Sequence, residues 1–271
     1  VSGVILVSIF FMLLTVIATP QKTTSTPTSE DKDLSLTIVY DNNPYDEKLE
    51  TRWGFSCFIR GAEKTILFDV GGDGSVLLKN MEELNIDPMA VDIVVLSHVH
   101  YDHIGGLSYF LERNPEVTVY MPRSLPRSVK DTVRKAGAEL VEVHKSMKIC
   151  DYVYSTGELG TFIKEQSLII KMSRGLVVVT GCAHPGIVKI VKKAKEMLKT
   201  NVYLVLGGFH LCWMNIWQIK DIVEGVREEE VEKVAPCHCS GNLAREHFEK
   251  TYEENFILSG AGKKIEIKNA F

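Results

Sequence analysis

The sequence predicts an α+β fold in which two mixed β-sheets pack face to face and helices cover the outside. Two strand-rich halves are each followed by helical segments, and a two-sheet sandwich accommodates that order. The strands are short β-branched and aromatic runs bounded by turn residues. These patterns alone fit a doubly wound sheet equally well. Six of the eight histidines decide between them, because they fall at strand ends or in the turns that follow, a bias that packing alone would not produce.

The elements follow in order. Leu36–Tyr40, Phe55–Arg60 and Thr65–Asp69 read as strands, with Gly61-Ala62-Glu63-Lys64 as a hairpin turn between the last two. Ser75–Leu84 has helical spacing through Val76, Leu77, Met81 and Leu84, with a serine near its start. Asp92–Ser97 is a buried strand that runs into a histidine cluster. Leu107–Glu112 reads as a short helix, Val117–Met121 as a strand and Ser124–Ala136 as a helix. In the second half, Ser167–Lys171 and Leu176–Thr180 form a hairpin turned at Ser173-Arg174-Gly175. Gly186–Leu198 is a helix, with apolar Ile187, Val188, Ile190, Val191, Ala194 and Leu198. Val202–Leu206 is a strand, Ile216–Val226 a helix, Lys233–Pro236 a strand, Asn242–Tyr252 a helix and Lys264–Ile267 a final strand.

A chain of 271 residues, 45% apolar and 24% charged, is ample for a two-layered core. The formal charge of -4 and the even mixing of signs exclude a nucleic-acid groove, so a small-molecule substrate is expected. No repeat of solenoid or propeller period is visible.

Two stretches break the uniformity. Residues 4–18 (VILVSIFFMLLTVIA) are apolar, and residues 19–33 form a Thr/Ser/Pro-rich spacer. A bilayer span takes about twenty apolar residues, so the run suits a signal-peptide apolar region better, with Val16-Ile17-Ala18 as a cleavage site. No Lys or Arg precedes it. The expected organisation is therefore a signal peptide or membrane anchor at 1–18, a linker at 19–33 and a catalytic domain at 34–271. Export or membrane anchoring through residues 4–18 follows, with a cytoplasmic protein as the alternative if that segment is wrongly assigned.

The chemistry concentrates in His98-Val99-His100-Tyr101-Asp102-His103. Residues two apart in an extended segment project the same way, so His98 and His100 offer two imidazoles to one ion. Asp102 and His103 lie on the following turn and can hold a second ion nearby. Imidazole with carboxylate suits Zn2+, Fe2+ or Mn2+. Three later segments each place a histidine after a strand and a tight turn: Gly181-Cys182-Ala183-His184, Gly207-Gly208-Phe209-His210 and Pro236-Cys237-His238-Cys239. The cysteines Cys57, Cys150, Cys182, Cys212, Cys237 and Cys239 form no disulfide framework. A four-cysteine zinc site does not fit their spacing, and Cys57 and Cys150 read as small buried hydrophobes.

The run His98–His103, with Asp69 upstream and His184 and His238 downstream, resembles the metallo-β-lactamase superfamily. The segments LFDVGGDGSVLLKNM, LSHVHYDHIGGL, IKEQSLII, VTGCAHPGIVKIV, LVLGGFHL and APCHCSG are similar to the branch named after the archaeal dihydropterin–ribofuranosylaminobenzene phosphate synthases. The likeness runs from about Leu36 to Ile267. It implies the four-layer αββα sandwich and two divalent metal ions, zinc (Zn) first, with Fe or Mn as alternatives. His98, His100 and His184 would bind one ion; Asp102, His103 and His238 would bind the other; Asp69 would orient the histidine loop. One departure stands out: most hydrolases of the superfamily place a bridging Asp where this chain has Gly207-Gly208-Phe209-His210. His210 is then a ligand, a general acid or a substrate contact.

The expected function is a metal-dependent hydrolase acting on a phosphate ester, diphosphate or carbonyl substrate. Metal lowers the pKa of water from about 16 towards 7 and so provides hydroxide at neutral pH. Asp102 would orient that nucleophile and His210 would protonate a leaving group. The first alternative is a pterin-type synthase releasing diphosphate, with Trp53, Phe55, Tyr101 and Trp213 available to stack a ring; export counts against it. The second is a non-catalytic metal- or ligand-binding protein.

Overall fold

The computed structural model describes residues 33–271, together with Val1 and Gly3. In chain order the elements are β1 (Leu34–Asp41), β2 (Phe55–Arg60), β3 (Ile66–Phe68), α1 (Gly74–Glu83), β4 (Ile93–Val95), α2 (Tyr101–Ile104) and α3 (Leu107–Arg113). Then come β5 (Thr118–Pro122), α4 (Arg127–Ala136), β6 (Glu139–Val143), β7 (Met147–Cys150), β8 (Val153–Ser155), β9 (Leu168–Met172) and β10 (Gly175–Thr180). The remainder is α5 (Ile187–Leu198), β11 (Val202–Gly208), α6 (Ile216–Glu228), β12 (Lys233–Cys237), α7 (Asn242–Tyr252) and β13 (Lys264–Ile267).

The strands form two sheets, ordered β13-β1-β2-β3-β4-β5-β6 and β12-β11-β10-β9-β8-β7. Alternation along each strand sorts side chains into layers. In β10, Val177 and Val179 meet Phe55, Phe68 and Val95 of the other sheet in the central core. Their neighbours Leu176 and Val178 turn outward onto Ile190 and Val191 of α5 and Val223 of α6. On the opposite face, Leu67 and Val94 pack on Leu77 and Met81 of α1 and Phe110 of α3. Both sheets are thus apolar on both faces, which is why their strands read as continuous rather than alternating apolar runs. The layers are helix, sheet, sheet, helix, as expected.

Local differences have local causes. Helix α4 begins at Arg127, not Ser124, because Pro126 holds an extended conformation before the first turn. The segment after His100 is one helical turn, α2, rather than a plain turn. Strands β6, β7 and β8 went unread: β6 and β7 are edge strands with charged residues, and β8 spans only three residues. Cys57 is buried as expected, but Cys150 sits half-buried at the end of the edge strand β7.

The expected export or membrane anchoring is corrected. Among the described residues no helix is long and apolar enough to cross a membrane. The longest helix described, α6, has 13 residues and buries one face, Ile219, Val223 and Val226, against its sheet. The apolar segment 4–18 and the spacer 19–32, on which the expectation rested, lie outside the described residues.

Candidate metal centre

Both sheets deliver their chemistry to one edge. The first sheet contributes the loop after β4 and helix α2; the second contributes the loops after β10, β11 and β12. In the parallel pairing of β10, β11 and β12, Thr180 lies opposite Gly207, and Gly208 opposite Cys237. The turns carrying His184, His210 and His238 therefore leave the sheet at one level. Close approach requires the glycines there. A Cβ on Gly207 would lie 1.9 Å from the Thr180 carbonyl oxygen, and one on Gly208 2.6 Å from Cys239 Sγ.

The first donor group is His98, His100 and His184. His98 Nε2 lies 3.1 Å from His100 Nδ1, and His184 Nε2 lies 3.2 Å from that same nitrogen. Ser97 Oγ holds His98 Nδ1 at 2.8 Å, leaving Nε2 to face the group. Burial, then the fields of His103 and His184, hold His98 well below the ordinary histidine range. Burial, with His210 and His100 beside it, lowers His184 to about 4. Both imidazoles are therefore neutral at neutral pH, the form that binds a metal ion.

The second group gathers Asp102, His103, Cys182 and His238. Asp102 Oδ2 is 3.2 Å from His238 Nε2 and 3.6 Å from His103 Nε2. Burial works against the Asp102 charge, but His238 and His103 outweigh it and hold the carboxyl well below its ordinary range. Burial likewise opposes charge on His103; Asp69, with Asp102 and Cys239 behind it, raises it to about 9.

The supports are as specific as the donors. Asp69, at φ 57, accepts from the Ser97 N–H at 2.6 Å and the Ser97 hydroxyl at 2.7 Å, and lies 2.7 Å from His103 Nδ1. The contact at Nδ1 leaves His103 Nε2 pointing at the donor group. Asn42 Oδ1 meets His238 Nδ1 at 2.7 Å, while the buried Asp41 carboxylate accepts the His238 N–H at 3.0 Å. Glu165, 1% exposed, grips the His184 loop: it accepts from Thr180 Oγ1 at 3.0 Å and from the N–H groups of Cys182, Ala183 and His184 at 3.0, 2.9 and 2.8 Å.

Every donor expected from the sequence thus arrives at one place: His98, His100 and His184 in one group, Asp102, His103 and His238 in the other. His210 stands beside them, its ring 4.3 Å from that of His184, in a further group with Cys182 and Cys239. Burial opposes it, but hydrogen bonds with Cys182 and His210 hold the Cys239 thiol well below its ordinary range. Asp41, Asn42, Glu165, Cys182 and Cys239 went unassigned in the sequence. Glu165 and Cys182 lie within segments that carried the resemblance, and Asp41 and Asn42 follow directly on a strand. Of the aromatic residues that the sequence offers equally to mouth or core, Trp53, Tyr101 and Trp213 are exposed and Phe55 is fully buried in the central core.

The donors fit divalent ions. With Nδ1 engaged by Asn42 Oδ1, the fully buried His238 Nε2 faces the Asp102 oxygen at 3.2 Å without satisfying hydrogen-bond geometry. An unpaired buried ring nitrogen costs about 1–3 kcal/mol, and a cation shared with its neighbours removes that penalty.

Residues 54–191 match the family model of the metallo-beta-lactamase superfamily. The chain is 28% identical to the 7,8-dihydropterin-6-methyl-4-(beta-D-ribofuranosyl)-aminobenzene-5'-phosphate synthase of Methanocaldococcus jannaschii, with 85% of this chain and 95% of that protein covered. Among solved structures it is similar to Tm1679, a metal-dependent hydrolase of the beta-lactamase superfamily, at 27% identity and a TM-score of 0.74, covering 87% of this chain and 99% of that one. A diphosphatase of the PhnP family shares the fold, at 14% identity and a TM-score of 0.60, with 88% and 99% covered.

Proposed function

Because the chain belongs to the metallo-beta-lactamase superfamily, we propose that it is a metal-dependent hydrolase acting on a phosphate ester, diphosphate or carbonyl centre. The observation that carries this reading is the convergence of two donor groups at one sheet edge, with the buried His238 Nε2 facing Asp102 without a satisfied hydrogen bond. Two divalent ions, zinc first and iron or manganese as alternatives, would be held by His98, His100 and His184 and by Asp102, His103 and His238. When bound they would supply Lewis acidity and activate water at neutral pH.

The chain's own residues do the rest. Asp102, partly open to solvent, orients the attacking water. Asp69 and Asn42 fix the tautomers of His103 and His238 by engaging their Nδ1 atoms, so that Nε2 of each faces inward. His210, half-buried beside His184, is placed to protonate a leaving group. Trp53, its ring 5.0 Å from that of His238, and Tyr101 form exposed walls for a substrate.

A second reading, a pterin-type synthase releasing diphosphate, draws support from the similarity to the Methanocaldococcus protein over most of the chain. The exposed Trp53 and Tyr101 would stack a planar ring. A screen of phosphodiesters, lactones and thioesters with defined metals tests the first reading. Turnover that His103→Ala abolishes supports it. Diphosphate release only with an aminobenzene co-substrate would favour the second. Metal binding with no turnover of any of these would leave a binding protein.

A further inference from the structure

The loop after β11 offers no carboxylate to the centre, yet the loop after β10 brings a sulfur donor into it. Cys182 Sγ is 3.2 Å from His103 Nε2 and belongs to the same donor group as Asp102, His103 and His238. We propose that Cys182 is a metal ligand, its thiolate completing a four-donor set with Asp102, His103 and His238 where a bridging Asp is absent. This rests on the reading that the centre binds metal ions.

Three features carry it. First, the spacing is close to that of a shared ion: donors on one tetrahedral ion at about 2.0–2.3 Å lie roughly 3.3–3.7 Å apart, the four ligand atoms here all lie within 4.8 Å of one another, and three of their contacts run 3.2, 3.2 and 3.6 Å. Second, the surroundings are wrong for a packing cysteine. The Sγ of Cys182 meets His103 Nε2 and, at 3.2 Å, Cys239 Sγ, whereas Cys57 lies among the apolar side chains of the central core. Third, the position is fixed from behind. Glu165 holds the N–H groups of Cys182 and both residues after it, so the sulfur is aimed by a buried carboxylate rather than by side-chain packing. Cys239 Sγ is absent from the Asp102 group; it lies 3.2 Å from the Cys182 sulfur and falls in the separate group with His210. A thiolate makes the second position soft, which favours zinc, iron or cobalt over manganese or magnesium.

Cobalt(II) alone is the probe. Metal-stripped full chain titrated with cobalt(II) should develop visible d–d bands and, with the second equivalent, a sulfur-to-cobalt charge-transfer band in the near ultraviolet. Cys182→Ser should lose that band, keep the first equivalent, and bind the second about 10–100-fold more weakly. Cys239→Ser should keep the band. If Cys182→Ser fails to fold, Cys239→Ser still decides: a retained band supports the proposal and a lost band overturns it. Two bound equivalents with no sulfur band would overturn the proposal while leaving the metal reading intact. A band that survives Cys182→Ser and vanishes in Cys239→Ser would also overturn it. No cobalt bound at all would overturn both.

Discussion

Glu165→Gln isolates the carboxylate that holds the His184 loop. The side chain accepts four hydrogen bonds, three at Oε1 from Thr180, Cys182 and Ala183 and one at Oε2 from His184. Glutamine retains the shape. Its oxygen replaces Oε1 best, which sets its NH2 against the His184 N–H and strands that buried donor at about 1–3 kcal/mol. The three surviving bonds lose their charge assistance, which makes a bond roughly twice as strong as a neutral one. Part of this is offset, because burial pushes the Glu165 carboxyl above its ordinary range and the variant no longer buries a charge. The net expectation is about 2 kcal/mol of lost stability, or roughly 4–8 °C in Tm for a chain of this size. Because the same N–H groups aim His184 and Cys182, metal affinity should fall about 10–100-fold. Urea unfolding of metal-stripped protein reads the first effect and competition with a chromophoric chelator the second. Unchanged stability with undiminished affinity would refute the role given to Glu165.

Asp69→Asn should preserve the backbone, because Asn tolerates the left-handed conformation found there. Its NH2 would face His103 Nδ1 and drive the proton to Nε2, so metal affinity should drop about 10–100-fold with a near-native circular dichroism spectrum; equal affinity would contradict the tautomer assignment. Metal-stripped protein should also show a two-sided pH profile. His184 is lowered to about 4, so from pH 6.5 down to about 4 the unfolded chain binds a proton that the native one does not, and stability falls with falling pH. His103 is raised to about 9, so the stability it contributes is fully present below 6.5 and is lost as pH rises towards 9. Urea midpoints measured across this range check both limbs, and a flat profile would count against both.

The donors were legible in the sequence because they ride on the short connections that leave stiff strands: His238 follows β12 directly, His184 lies four residues past β10, His98 and His100 three and five past β4, and His103 on the helical turn that follows. What supports them was not legible. Glu165 reaches a loop 15–19 residues on, and Asp41 and Asn42 reach His238 across 196–197 residues, contacts that only the packed sheets create. Cys182 and Cys239 looked like neighbours of ligands because their facing sulfurs come from different strands. Phe55 reads equally well as mouth or core from the sequence, and β2 turns it into the central core, where strand register rather than residue type decides its side. The edge strands β6 and β7 escaped notice because charged residues dilute their apolar pattern.

Metal content of purified protein, measured by elemental analysis after removal of loosely bound ions, tests the centre most directly. Two convergent donor groups predict two divalent ions per chain, falling to about one when Asp102 and His103 are both replaced by alanine. Fewer than about one ion per unaltered chain, under conditions in which the protein is folded, would contradict a two-metal centre.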